Sequence, residues 1–148
     1  MIEIDYNYNI KNNYSAKDLL KICQLVAKKE KKVDGVVEIN VIGDKEMTEL
    51  NFQYRGKKYP TDVLSFAWEE DKKIKSTMLG QIFICYPQIQ RQAKECKIKE
   101  QEELARMFIH GLLHLVGHDH IKPVPAKKMF KIQEEVIKEL GYASQKFI

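Results

Sequence analysis

The fold is decided by the stretch Glu100-Gln-Glu-Glu-Leu-Ala-Arg-Met-Phe-Ile-His110-Gly-Leu-Leu-His114-Leu-Val-Gly117-His118-Asp119-His120. Its apolar residues recur at helical spacing, which is typical of a helix with one buried face. These residues are Leu104, Met107, Phe108, Leu112 and Leu115. Glutamates crowd the first turn, where the helix dipole favours acids, and Gly117 is a natural stop. We therefore predict a long helix that packs into the core and carries a histidine-rich motif at its C-terminal end.

The residues on either side of this helix predict a sheet that is built mostly before it. Alternating apolar residues predict strands over about Ile2–Ile10, Val37–Val41, Val63–Trp68 and Met78–Tyr86. Helical spacing predicts helices over about Ala16–Lys31, Asp44–Tyr54, from Gln88 into the histidine-rich helix, and Ala126–Leu140. Strands mostly first and long helices mostly later are typical of an α+β fold. We expect one domain over residues 1–148, with about four strands in a mixed sheet and about five helices.

Composition excludes several classes of protein. Lys and Arg total 25 against 21 Asp and Glu, so the formal charge is only +4. The apolar runs are far shorter than the roughly 18 residues of a membrane span, and the N-terminus lacks the pattern of a signal peptide. We expect a cytoplasmic protein with no membrane partner. The three cysteines form an odd set without C-x-x-C spacing, which argues against a disulfide framework or a thiolate metal site.

All four histidines lie within the eleven residues of the motif. His110 and His114 are four residues apart, so both imidazoles lie on one face of the helix and can bind one ion. His118 would lie about 12 Å from His110 along an unbroken helix, whereas the stop at Gly117 allows His120 to fold back as a third ligand. Three protein ligands with an open fourth position are typical of catalytic zinc. The alternative is a helix end that carries surface imidazoles favoured by the dipole.

A comparison with zinc proteases limits the chemistry. The stretch fits the metzincin pattern H-E-x-x-H-x-x-G-x-x-H at His110, His114, Gly117 and His120, but Gly111 stands where the general-base Glu belongs. Gly111 has no proton acceptor in its side chain. The sequence therefore favours a metal platform without peptidase chemistry.

Taken together, these motifs resemble the YbeY endoribonucleases, or rRNA maturation factors, whose H-G-x-L-H-L-x-G-x-D-H signature matches residues 110–120. The likeness extends along the whole chain. The other matching segments are Leu50-Asn51, Tyr54-Arg55-Gly56-Lys57, Pro60–Phe66, Leu79-Gly80 with Ile82, Met129-Phe130, Glu134-Glu135 and Leu140-Gly141. The chain departs from the family in three places. Gln81 stands where the family usually has an acidic residue, and His118 stands where an aromatic residue is common. The stretch after His120 is basic here, whereas it is often acidic in relatives.

The resemblance implies a zinc-dependent endoribonuclease that cleaves single-stranded RNA in small-subunit rRNA 3′-end maturation and in ribosome quality control. It implies zinc held by His110, His114 and His120, with His114 and Arg55 catalytic, and rRNA, the small subunit and assembly proteins as partners. The alternative is a non-catalytic ribosome-assembly factor with a structural metal site. The roles of His118, Asp119 and Gln81 stay open. So does the choice between direct attack of water on phosphorus and attack by the RNA 2′-OH.

Charge placement adds to this hypothesis. Residues 50–61 contain Arg55, Lys57 and Lys58 with no acid, and residues 121–133 contain four lysines with no acid. Arg55 is one of only three arginines beside 22 lysines, and its planar fork binds two phosphate oxygens at once. Both stretches are candidate tracks for an RNA backbone, whose phosphates attract such clusters.

Overall fold

The structure is a computed structural model, and it describes residues 1–68, 77–118 and 123–143. The described strands are β1 (Ile2–Tyr8), β2 (Gly35–Ile42), β3 (Val63–Ala67) and β4 (Met78–Cys85). The described helices are α1 (Ala16–Lys29), α2 (Asp44–Arg55), α3 (Tyr86–Cys96), α4 (Glu100–Leu115) and α5 (Pro123–Glu139). These elements form one α+β domain, which confirms the predicted fold class.

The four strands form one mixed sheet in the order β1-β2-β4-β3. β1 and β4 run parallel to β2, and β3 runs antiparallel to β4, with Val63 opposite Ile84 and Ala67 opposite Gly80. β3 is therefore an edge strand. Among the described residues, no strand pairs with its outer edge.

Alternating side chains of the sheet build two apolar layers. On one face, Ile82 and Ile84 of β4 join the main core with residues of α1, α4 and α5. On the other face, Cys85 joins a smaller cluster with Met47 of α2 and Leu64 of β3. The long helix α4 thus lies on one side of β3, and α2 lies on the other.

The boundaries of two helical segments differ from the sequence prediction. The segment that starts near Gln88 is two helices, because Lys97 adopts a left-handed conformation (φ 57°) that closes α3. The last helix begins at Pro123 rather than near Ala126. Proline fits the first turn of a helix because its missing N–H would have no partner there. Ser15 caps α1 by accepting a hydrogen bond from the Asp18 N–H at 3.1 Å.

A buried ion pair braces the two C-terminal helices. Arg106 of α4 hydrogen-bonds to both carboxylate oxygens of Glu134 of α5, and both side chains are buried. The same guanidinium donates to the Ala143 carbonyl at 2.9 Å. This pair fixes α5 against the outer side of α4.

No helix in the described part of the chain is long and apolar enough to cross a membrane. The three cysteines all lie in that part, and each is a free thiol.

α4 packs closely against the sheet at Gly111. The Ser65 hydroxyl of β3 donates a hydrogen bond to the Gly111 carbonyl at 3.1 Å. A Cβ atom at position 111 would lie 2.9 Å from the Ser65 Oγ and 3.2 Å from Val63 Cγ2. A side chain at residue 111 would therefore force the Ser65 hydroxyl and Val63 to shift.

The Gly111 contact predicts whether an alanine at this position raises or lowers the free energy of unfolding. In an open helix position, Gly→Ala stabilises by about 1 kcal/mol through helix propensity. Here we expect Gly111→Ala to lower the free energy of unfolding by about 1 kcal/mol, because an overpacking cost of about 1–3 kcal/mol outweighs that gain. Urea unfolding of the purified variant measures the difference.

Ser65→Ala provides the matched background. Removal of the hydroxyl takes away the nearest clashing atom, so Gly111→Ala should cost less in that background than in the wild-type chain. A Gly111→Ala variant that is more stable than wild type would show that position 111 has free space, contrary to this account.

Candidate functional site

His110 and His114 converge on the exposed side of α4, one helical turn apart. Their Nε2 atoms lie 2.9 Å from each other, and their ring centroids are 4.5 Å apart at an angle of 75°. Both residues are half-buried. The i,i+4 spacing thus brings together two imidazole nitrogens that can face one ion.

The two histidines line a cleft of about 540 Å³ between α4 and the edge strand β3. One wall is formed by residues 61–65 and Ala67, and the opposite wall by α4. Arg55, the last residue of α2, also lines it. The α4 residues in this wall are Met107, His110, His114 and Leu115. The end of α2, the segment 61–67 and the distant helix α4 therefore meet at one cavity.

Arg55 differs from the other two arginines in its contacts. Arg91 binds Asp44 with two hydrogen bonds of 2.9 and 2.7 Å, which connects α3 to α2. Arg106 is occupied by Glu134 in the core. Arg55 is exposed and makes no hydrogen bond or ion pair within the part of the chain that the structure describes. Its guanidinium is therefore available to an anion in the cleft.

The third predicted ligand, His120, and its neighbour Asp119 lie outside the described residues. Among residues 1–68, 77–118 and 123–143, no three His, Cys, Asp or Glu side chains are grouped as a metal site would require. The described pair still fits zinc, because imidazole nitrogen is one of its preferred ligands and both Nε2 atoms point to the same place. The three-histidine site stays a prediction.

His118 has a different environment from the histidine pair. Its Nε2 hydrogen-bonds to the Glu30 carboxylate at the C-terminal end of α1, and both side chains are largely buried. This hydrogen bond holds the pKa of Glu30 below its usual value. His118 therefore connects the end of α4 to α1 and does not line the cleft.

Asp62 lines the cleft and is held by its neighbours. One carboxylate oxygen accepts from the Val63 N–H at 2.7 Å and from the Thr61 hydroxyl at 3.3 Å. The other accepts from the Gln92 side chain at 3.3 Å. These bonds match the turn and strand-start role that such a residue favours, and they place a carboxylate beside the histidines.

Glu103 is a buried acid near this cluster that sequence reasoning assigned only to the first turn of α4. Burial raises its pKa above the usual value, and the negative charge of Asp62 raises it further. Its position seven residues before His110 puts both on one face of α4. That spacing is the signal by which the sequence could have revealed it.

Comparison with known proteins agrees with this architecture. A family model described as Endoribonuclease YbeY matches residues 2–141. The Endoribonuclease YbeY of Ureaplasma urealyticum serovar 10 is 44% identical over 104 residues, which are 70% of this chain and 66% of that relative. The match therefore spans just under two thirds of that relative's length. The Endoribonuclease YbeY of Malacoplasma penetrans is 37% identical over 125 residues, 84% of this chain and 83% of the relative.

A solved structure has a similar fold. The solution structure of TM1509 from Thermotoga maritima is similar with a TM-score of 0.63 and 30% identity, over 95% of this chain and 92% of that one. Because the family model matches nearly the whole chain, and relatives of that name align over most of it, this chain belongs to the YbeY endoribonuclease family.

Proposed function

We propose that this chain is a zinc-dependent endoribonuclease that cleaves single-stranded RNA in the cleft between α4 and β3. One observation carries the proposal: Arg55, which has no partner among the described residues, lines the same cleft as the converging His110 and His114. Family membership supports RNA as the substrate, since the relatives that match are named endoribonucleases. By the same resemblance, we propose small-subunit rRNA in the cytoplasm as the substrate. The small ribosomal subunit and assembly proteins are the proposed partners, and ribosome quality control is a further role.

Each residue has a defined task in this proposal. Arg55 binds the scissile phosphate through two of its oxygens and offsets the charge that develops at phosphorus. His110 and His114 hold the ion, with His120 as the predicted third ligand. When bound, zinc supplies a Lewis acid that polarises a phosphoryl oxygen and acidifies a water molecule. Position 111 supplies no base, because it is a glycine, and it packs closely against β3.

RNA cleavage tests the assignment of Arg55 and His114. We expect purified protein to nick unstructured rRNA, and Arg55→Ala and His114→Ala to slow nicking by roughly 10²-fold or more, the typical cost of losing one charge-stabilising donor. Arg55→Lys should recover only part of the rate, because Lys keeps the charge without the bidentate geometry. Gel analysis of end-labelled RNA measures the rates.

Arg91→Ala is the matched control, since Arg91 pairs with Asp44 away from the cleft. It should cleave at the wild-type rate. If Arg55→Ala and His114→Ala also cleave at that rate in nuclease-clean preparations, the cleft is not catalytic. The non-catalytic assembly factor then becomes the better hypothesis. A 2′,3′-cyclic phosphate on the product would show that the RNA 2′-OH attacks first.

Metal titration tests the ligand set separately. We expect the metal-free protein to take up about one zinc ion per chain. His110→Ala or His114→Ala should lower the zinc affinity by more than the roughly 10- to 100-fold that loss of an outer-sphere partner costs. His118→Gln should keep wild-type affinity, because His118 contacts Glu30 instead. Isothermal titration calorimetry gives affinity and stoichiometry. Equal zinc binding by wild type and His114→Ala would contradict the proposed site.

A further inference from the structure

The aromatic side chains next to the cleft are unusually exposed. Six large hydrophobic side chains are strongly exposed in the described part of the chain, and four of them belong to residues 52–68. These four are Phe52, Tyr54, Tyr59 and Trp68, each between 53% and 58% exposed. We call them the aromatic surface. The same segment supplies Arg55 and one wall of the cleft.

The Tyr54 ring and the Tyr59 backbone are held in place although both side chains are exposed. The Tyr54 ring packs against Phe66 of β3 with centroids 4.7 Å apart, and Phe66 packs in turn against Phe83 of β4 at 5.8 Å. The Tyr59 carbonyl accepts a hydrogen bond of 2.8 Å from the fully buried side chain of Asn51. Rigid aromatic groups with one free face can bind a planar ligand at low entropic cost.

Trp68 extends the aromatic surface along the edge strand. Its backbone N–H donates to the Leu79 carbonyl at 2.9 Å, so the pairing of β3 with β4 continues one residue beyond Ala67. Strand alternation then places Trp68 on the same face of β3 as Phe66, against which Tyr54 packs. The cleft begins on the other face, at Ala67 and Ser65. The aromatic surface and the cleft therefore meet across one open sheet edge.

Charge indicates what kind of ligand fits this surface. Arg55, Lys57 and Lys58 lie between Tyr54 and Tyr59 in the sequence, and residues 50–61 contain no acid. The Lys58 ammonium lies 5.8 Å from the centre of the Phe52 ring. Cationic groups mixed with exposed aromatics match single-stranded nucleic acid, whose phosphates bind the cations while its bases stack on the rings.

We propose that the aromatic surface stacks the unpaired bases that flank the scissile phosphate, with Tyr54 and Tyr59 as the principal contacts. The proposal rests on the ribonuclease function for the identity of the ligand. At the end of α2, the Tyr54 ring packs on Phe66 of β3 and Arg55 lines the cleft, so a strand that crosses β3 could contact both. Paired bases have no free face, and duplex RNA would therefore lose these contacts.

Binding of a short oligonucleotide tests the stacking proposal without relying on cleavage. Fluorescence anisotropy compares a labelled single-stranded RNA with an abasic strand of the same length and charge, both in the His114→Ala background to keep the RNA intact. We expect Tyr54→Leu and Tyr59→Leu to weaken RNA binding roughly fivefold or more and to leave binding of the abasic strand unchanged. Tyr54→Phe should bind RNA as the parent does, because phenylalanine retains the stacking ring.

Two controls separate stacking from other effects. Tyr8→Leu removes an equally exposed tyrosine on β1, outside the aromatic surface, and should not change binding. Lys57→Gln with Lys58→Gln should flatten the salt dependence of binding, whereas the tyrosine variants should keep its slope. This contrast distinguishes the loss of base stacking from the loss of phosphate contacts.

Three results would overturn the proposal. The tyrosine variants could bind RNA normally, or they could lose RNA and abasic binding equally. They could also bind RNA normally while no longer sedimenting with small ribosomal subunits, which would assign the surface to a protein partner. Base-dependent binding, combined with no nicking by the wild-type chain, would instead keep the aromatic surface and remove the ribonuclease function.

Discussion

The contact between α4 and β3 at Gly111 is the constraint on which the site depends. Because residue 111 has no side chain, the helix lies so close to β3 that even an alanine Cβ would come within 2.9 Å of the Ser65 Oγ. His110 and His114 are fixed by the same helix and therefore stand at the margin of that contact, facing the cleft. A second glycine permits close packing in the paired strand β4: Gly80 has φ +156°, and a Cβ there would lie 2.3 Å from the Phe66 carbonyl oxygen and 2.8 Å from Leu115 of α4.

This packing also explains why the histidine motif departs from the protease pattern. Zinc proteases with H-E-x-x-H place a general-base Glu directly after the first histidine. In this chain the corresponding position is buried against the edge strand. A Glu would have to displace Val63 and Ser65 before it could reach a substrate. The same backbone geometry that positions two metal-ligating nitrogens therefore excludes the usual peptidase base.

The three arginines differ in whether a carboxylate pairs with them. Two of the three arginines are neutralised by carboxylates that connect helices, namely Arg91 by Asp44 and Arg106 by Glu134. The carboxylates Asp62 and Glu103 lie close enough to interact, and the buried one, Glu103, has a raised pKa. Arg55 is left beside the histidines to meet an anion. The modest overall charge of +4 thus conceals a local arrangement suited to a phosphate.

Much of the fold follows from local sequence patterns, whereas the fine structure of the site depends on tertiary contacts. Alternation and helical spacing predicted the four strands and the positions of the helical segments, because each buries one face. They missed the division at Lys97, where a lysine adopts a backbone conformation more typical of glycine, and the helix start at Pro123. The contact of His118 with Glu30 and the burial of Glu103 could not be predicted, since both depend on residues far apart in sequence. The role of Arg55 came from the family resemblance and the rarity of arginine, and its lack of a partner in the described residues is visible only in the structure.

The central claim is that His110 and His114 hold a zinc ion in the cleft beside Arg55. The most direct measurement is an anomalous difference map from crystals grown with zinc, recorded at wavelengths above and below the zinc absorption edge. The account predicts one strong peak per chain, about 2.0–2.1 Å from both Nε2 atoms. A map with no peak between these two nitrogens, or with its strongest peak elsewhere in the chain, would contradict it.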